Sequence, residues 1–167
     1  TICKYLNEKY QANAYRFSTM LRDVLDRMYV PQTRENLQKI STILRQNFGE
    51  DVMSKVIAED VKNDKNEIVM VEGIRRPTDI TYLKENPGFH LIYITADPKI
   101  RWERLVKRAE NPGDTEKTYE EFLQDEQAEA DSMIKTLGQT AKFTINNDGT
   151  LEEFYQQMED IITKIKI

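Results

Sequence analysis

The sequence predicts an α/β protein built on a parallel sheet, and three observations carry that reading. The run Ile68-Val69-Met70-Val71 is continuously apolar, as a strand buried on both faces would be. Short strand-like stretches alternate with helix-periodic ones, the order that parallel sheets need. The 6 Gly and 5 Pro fall at the junctions between these stretches. With 167 residues, and roughly 100–200 residues per domain, residues 1–167 read as a single domain.

The elements follow in order. Ile2 to Tyr10 reads as a short helix, and Ala14 to Phe17 as a strand. Ser18 is placed to cap a helix with Leu21, Val24, Leu25 and Met28 at helical spacing, which Pro31 ends. Thr33 and Asn36 open a helix carrying Leu37, Ile40, Leu44 and Phe48 on one face, with Gly49 closing it. Another helix covers 50–62, with Val52, Val56 and Val61 inside. The strand over 68–71 leads to Pro77 at the first position of a short helix reaching Glu85. Another strand spans Phe89 to Thr95, and Asp97-Pro98 caps and starts the next helix. Thr118 caps a long acidic helix to Leu137, and Phe143 to Ile145 is a fourth, short strand. Thr150, with Glu153 three residues on, forms a capping box before the final helix, whose Leu151, Phe154, Tyr155, Met158, Ile161, Ile162 and Ile165 make one apolar stripe.

Composition excludes several classes of function. A net charge of −5 argues against a general nucleic-acid or acidic-membrane binder. The single Cys3 excludes an internal disulfide framework and a Cys-rich zinc site, and the single His90 excludes any site needing two histidines. No apolar run approaches the roughly 18–20 residues of a membrane span, and a cytoplasmic setting is the expectation. There is no Ser-His-Asp set, EF-hand loop or dinucleotide-binding glycine fingerprint. His90, Tyr82, Tyr93 and Trp102 fit packing positions.

In open α/β sheets ligands gather beyond the carboxyl ends of the strands. There the sequence places Glu72, Gly73, Arg75 and Arg76, a carboxylate with two guanidiniums that suits a phosphate or a magnesium-phosphate. The competing reading is a surface Glu–Arg pair at a helix start. Past the next strand, Arg101, Arg104 and Arg108 share one face of a helix, with Trp102, Leu105, Val106 and Ala109 opposite. Like charges so spaced repel by a few tenths of a kcal/mol per pair, which a polyanion would offset. Pairing with Glu103, Glu110 or Glu120-Glu121 is the other account. Asn147-Asp148-Gly149-Thr150 after the last strand is a turn and cap, with base contact as an added role.

Taken together, these motifs resemble those of P-loop nucleoside and deoxynucleoside monophosphate kinases, relatives of adenylate kinase and dephospho-coenzyme A kinase. The segments that carry the resemblance are Val71-Glu72-Gly73-Ile74-Arg75-Arg76-Pro77, Arg101-x-x-Arg104-x-x-x-Arg108, Ile145-x-Asn147-Asp148-Gly149-Thr150 and Phe17-Ser18-Thr19-Met20-Leu21-Arg22. The resemblance covers nearly the whole chain. It implies a three-layer αβα P-loop NTPase-like fold, with a helical acceptor-binding insert over 31–63 and a short lid over 109–118. It further implies ATP-dependent phosphoryl transfer to a nucleoside or deoxynucleoside monophosphate, with ATP and Mg²⁺ as cofactors. Arg22 and Arg76 would grip the acceptor phosphate, with Arg75 competing for that role and Arg34 and Arg45 adding contacts. Arg101, Arg104 and Arg108 would neutralise the transferring phosphoryl group. Glu72 would hold magnesium through water, in a place where the family usually has Asp. Thr1, Asn147 and Gly149 would contact the nucleotide.

The family's phosphate loop, G-x-x-x-x-G-K-[ST], occurs nowhere in the 167 residues. Thr1 resembles the residue just past that loop. The expectation is therefore a chain lacking the first, central strand and the loop, as a fragment of a longer kinase. A dephospho-coenzyme A kinase-like enzyme, or a non-catalytic nucleotide-binding module if the chain is whole, are the alternatives. The expected partner is a small-molecule nucleotide acceptor, with neither nucleic acid nor membrane. Monomer and homodimer are both open.

Overall fold

The computed structural model describes residues 1–109, 114–127 and 129–165, with the side chains of residues 34 and 129–132 outside that description. The chain divides into two compact units, Thr1–Phe89 and His90–Ile167.

The first unit runs α1 (Ile2–Tyr10), β1 (Asn13–Arg16), α2 (Phe17–Arg27), α3 (Arg34–Phe48), α4 (Val52–Asn63) and β2 (Val69–Glu72). Two 3-10 turns follow, Pro77–Ile80 and Leu83–Glu85. β1 and β2 pair in parallel from Asn13↔Val69 to Arg16↔Glu72. The expected strand at 14–17 gives Phe17 to the helix instead. Phe17 opens α2 and is buried, so Ser18 lies inside the helix rather than capping it. The cap position falls to Arg16, with extended backbone. Thr33 does cap α3, accepting a hydrogen bond from the Asn36 amide at 3.2 Å. Gly49 ends that helix with φ 104°, a conformation that needs glycine. In α4 the buried face is Met53, Ser54 and Ile57, while Val52, Val56 and Val61 are half-buried. Phe17, Leu21, Met53, Ile57 and Leu83 form the core of this unit, with Leu37, Ile40 and Leu44 of α3 packed against it. Each such side chain contributes about 1.5–3 kcal/mol when fully buried.

The second unit runs β3 (Ile92–Thr95), α5 (Pro98–Arg108), a 3-10 turn (Asp114–Glu116), α6 (Tyr119–Glu126), α7 (Glu129–Gly138), β4 (Phe143–Asn146) and α8 (Leu151–Ile165). β3 and β4 pair in parallel from Ile92↔Phe143 to Thr95↔Asn146. The long acidic helix of the sequence reading is two helices, α6 and α7. Its start is as expected: Thr118 and Glu121 make a full capping box. Thr150 and Glu153 do the same at α8, with the Thr150 amide donating to Glu153 Oε2 at 2.8 Å and the Glu153 amide to Thr150 Oγ1 at 3.2 Å. α8 lies against β4, and Phe154, Met158, Ile161 and Ile162 are buried with Ile145. Leu151, at the head of the stripe, is exposed.

The four strands therefore form two parallel pairs, where the sequence predicts one sheet. Each strand is four residues long, and no fifth strand occurs among the described residues to extend either pair. No helix among them is long and apolar enough to cross a membrane.

Candidate functional site

In the second unit, α5 is started by Asp97, whose carboxylate accepts from the Lys99 amide at 2.8 Å, and by Pro98 at its first position. That start fixes the helix phase, so Arg101, Arg104 and Arg108 fall on one side. All three line a cleft of about 320 Å³, together with Thr95, Phe122 and Asn147. This lies at the small end of the roughly 300–1,000 Å³ typical of ligand pockets. Of the residues expected to oppose the arginines, Trp102 and Val106 are half-buried, and the Trp102 indole N–H donates to the Lys117 carbonyl at 2.8 Å. Leu105 is half-buried and joins the cleft wall. Ala109 is exposed and ends the helix in a left-handed conformation, φ 49°.

The arginines are held differently. Arg104 Nη1 donates to the Asn147 carbonyl at 2.5 Å, and Nη2 lies 3.4 Å from the Gly149 carbonyl. Arg101 is paired through Nη1 and Nη2 with Glu126 of α6, the Nη2 contact at 3.0 Å, and lies 5.9 Å from the Phe122 ring centre. Glu126 also lines the cleft. The loop that Arg104 clamps continues the β3–β4 ladder, since the Asn147 amide donates to the Thr95 carbonyl at 2.8 Å. Asp148 within it accepts from the Asp97 amide at 2.6 Å and from the Asn146 side chain at 2.9 Å. Those two hydrogen bonds, with Arg104 nearby, hold the Asp148 carboxyl below its ordinary range. A Cβ at Gly149 would fall 2.0 Å from Glu153 Oε2, the oxygen of the α8 capping box, so a side chain there would displace that carboxylate.

In the first unit, Glu72 and Arg16 end the two paired strands as cross-strand neighbours. Arg16 Nε donates to Glu72 Oε1 at 2.5 Å, Arg16 Nη2 pairs with the same oxygen, and the Cys3 thiol donates to Oε2 at 3.4 Å. Burial, then the Glu72 charge, pushes the Cys3 thiol up. Magnesium keeps several waters and needs only one or two carboxylates beside phosphate oxygens. Glu72 fits that role through water: Oε1 takes Arg16 and Oε2 only the Cys3 thiol, so Oε2 keeps a lone pair for a magnesium-bound water. Among the described residues no three His, Cys, Asp or Glu side chains converge on one point.

Past Gly73, with φ 83°, the chain turns through Arg75 and Arg76. Both of their amides donate to Asp79 Oδ2, at 2.9 and 3.0 Å. Arg45, on α3, reaches Asp79 Oδ1 with Nη2 at 3.4 Å and donates from Nη1 to the Glu50 carbonyl. Glu50 Oε2 lies 3.9 Å from Nη1 of both Arg45 and Arg76. Arg22 sits apart from this group in its bonding, with Nη1 donating to Gln32 Oε1 at 2.8 Å and Gln32 in turn donating to Asp26 at 2.6 Å. Thr1 is exposed ahead of α1 and makes no side-chain cap. The Arg34 side chain lies outside the described residues, as do positions 110–113 of the expected lid over 109–118.

The sequence reading missed four residues of these clusters: Arg16, Glu50, Asp79 and Glu126. Asp79 carried a local signal, an acidic residue two places after a helix-starting Pro77. Arg16 carried a weaker one, as a cation near the carboxyl end of the expected strand at 14–17. Glu126 pairs with a residue 25 positions away, and nothing local marks it.

The profile of a family described as an AAA domain matches residues 1–123. The chain belongs to that family. It belongs equally with the UPF0200 proteins: one from Pyrococcus abyssi is 31% identical over 150 residues, covering 87% of this chain and 79% of the relative. Another, from Methanoregula boonei, is 31% identical over 144 residues, covering 86% and 78%. A crystal structure of an uncharacterized protein from Eubacterium ventriosum shares the fold, with TM-score 0.58 and 16% identity over 99% of this chain and 89% of that one. The fold is thus α/β and P-loop-type, and the family is P-loop NTPase and kinase-like, of nucleotide-binding character.

Proposed function

We propose that this protein is the body of an ATP-dependent phosphotransferase acting on a nucleoside or deoxynucleoside monophosphate. The observation that carries the reading is the cleft where Arg101, Arg104 and Arg108 line one wall and Asn147 another, at the carboxyl ends of a parallel strand pair. Phosphoryl transfer asks little covalent chemistry of a protein; it asks for positioning and for positive charge on the developing equatorial charge. Guanidiniums supply that charge in fixed planar forks. Arg104 bonded to the 147–149 loop couples the phosphate-facing charge to the segment that would border the base. Arg45, Arg75 and Arg76 supply the acceptor side, with Arg22 and Arg34 as further acceptor contacts. Gly149 would border the ATP. Magnesium would come with the nucleotide, and Glu72 would hold it through water.

ATP chemistry of this kind also uses backbone amides of a phosphate loop, and the G-x-x-x-x-G-K-[ST] pattern is absent from these 167 residues. The proposal therefore needs that loop, and the central strand before it, from outside them.

The test is acceptor-by-acceptor equilibrium binding on the 167-residue chain, using the common ribo- and deoxyribonucleoside monophosphates, each against its nucleoside. Saturable preference for one monophosphate supports the reading. Equal, non-saturable behaviour across the panel removes it. ATP turnover by the chain alone would overturn the requirement for the outside loop.

A further inference from the structure

We infer that Asp79 is the positioning residue of the acceptor-phosphate grip, pairing with the Arg45 guanidinium and fixing the backbone of Arg76 so that both side chains serve one shared anion position. This rests on the acceptor reading above and adds to it a residue that touches no substrate.

Asp79 is 4% exposed and Arg45 is 12% exposed at its side chain. A carboxylate that deep is costly unless paired and hydrogen-bonded. Both oxygens are committed. Oδ2 takes the amides of Arg75 and Arg76, which fixes the backbone from which those two side chains leave. Oδ1 takes the Arg45 guanidinium, which arrives from a different helix. The Asp79 carbonyl is itself held, accepting from the buried Ser54 hydroxyl at 2.9 Å, and that hydroxyl oxygen receives the Tyr82 amide at 3.5 Å.

Capping of the Pro77–Ile80 turn explains the contacts to the two amides. It does not account for the Arg45 contact, in which a cation from α3 offsets the burial of the carboxylate. What that contact achieves is visible on the solvent side. Glu50 Oε2 is 3.9 Å from Arg45 and 3.9 Å from Arg76, so the two guanidiniums bracket one negative oxygen. Glu50 is 67% exposed at its side chain and free to withdraw. A phosphate monoester entering there would replace an exposed carboxylate with a dianion, between the Arg45 guanidinium that Asp79 pairs with and the Arg76 side chain whose backbone Asp79 holds.

The test measures affinity for each common nucleoside monophosphate and for its nucleoside, in wild type, Asp79→Asn, Ser54→Ala and Glu50→Gln. The ratio of the two affinities isolates the phosphate's contribution. Asp79→Asn keeps the shape but drops the charge that orients Arg45, and the ratio should fall about tenfold with nucleoside affinity unchanged. Ser54→Ala loosens the same turn from below, and should lower the melting temperature without moving the ratio. Glu50→Gln removes the competing charge and should raise the ratio several-fold. An unchanged ratio in Asp79→Asn, or equal losses for monophosphate and nucleoside, would show a structural role only and overturn the inference. If Asp79→Asn does not fold, an unchanged ratio in Glu50→Gln overturns it by removing the shared anion position. If wild type shows no preference for any monophosphate over its nucleoside, the acceptor reading itself fails and this inference with it.

Discussion

Replacing Arg104 by Gln should weaken ATP binding about tenfold while leaving the second unit folded. Arg104 makes two contacts, to the Asn147 carbonyl at 2.5 Å and to the Gly149 carbonyl at 3.4 Å, and the first is the stronger by distance. Gln can keep one carbonyl contact, so the 147–149 loop retains its ladder bond from the Asn147 amide to Thr95 and its Asp148–Asp97 link. What it cannot keep is the positive charge facing the cleft. A hydrogen bond to a charged group contributes about 1.5–3 kcal/mol, or about 10- to 150-fold in affinity. The side chain is exposed, which places the effect at the low end. Charge reversal in Arg104→Glu adds repulsion and should bring the loss to about a hundredfold. Titration calorimetry with MgATP reads both. Lys99→Gln is the control, since it removes the same charge from an exposed position on α5 that does not line the cleft. Equal losses in Arg104→Gln and Lys99→Gln would reduce the effect to net charge and refute the assignment of Arg104 to the cleft. No loss in either would refute the cleft itself.

Other outcomes follow from the same geometry. Gly138→Ala should destabilise by about 1–2 kcal/mol in urea unfolding: the helix propensity gain of about 1 kcal/mol is outweighed because the new Cβ falls 2.6 Å from the Tyr93 ring. Tyr93→Val in the same chain should recover most of that loss. Phe154→Ala, which empties a buried position of α8, should cost about 3–5 kcal/mol by the same measurement. The Asp148 carboxyl is depressed in the folded protein, so its contribution is present above the ordinary carboxylate value near 3.9 and is lost as pH falls through the lower folded value. Stability measured from pH 6 downward should therefore drop on an acid limb that is shallower in Asp148→Asn. Glu126→Gln should tighten MgATP binding several-fold by releasing Arg101 from its carboxylate partner.

Local sequence chemistry predicted most of the elements because the signals that set them are local. Thr33, Asp97, Thr118 and Thr150 cap where a hydroxyl or carboxylate precedes a helical stripe, and each cap is present. The 3.6-residue period placed Arg101, Arg104 and Arg108 on one face without any knowledge of the fold. Phe17 shows where local reading fails: its β-compatible side chain extends a strand pattern, but burial with Leu21, Met53 and Ile57 draws it into α2. The acidic stretch after Thr118 failed for a related reason, since polar helix formers carry no mark for the break between α6 and α7. The ion pairs were the least legible. Arg101 with Glu126 and Arg45 with Asp79 join residues 25 and 34 positions apart, and only tertiary packing selects those partners from 29 acidic residues.

The most direct test of the nucleotide-site account is an amide chemical-shift titration of the 167-residue chain with MgATP. The account predicts saturable shifts concentrated on Thr95, Ala96, Arg101 to Arg108 and Asn146 to Thr150, abolished together in Arg104→Glu. Saturable shifts centred elsewhere, or none at millimolar nucleotide, would contradict it.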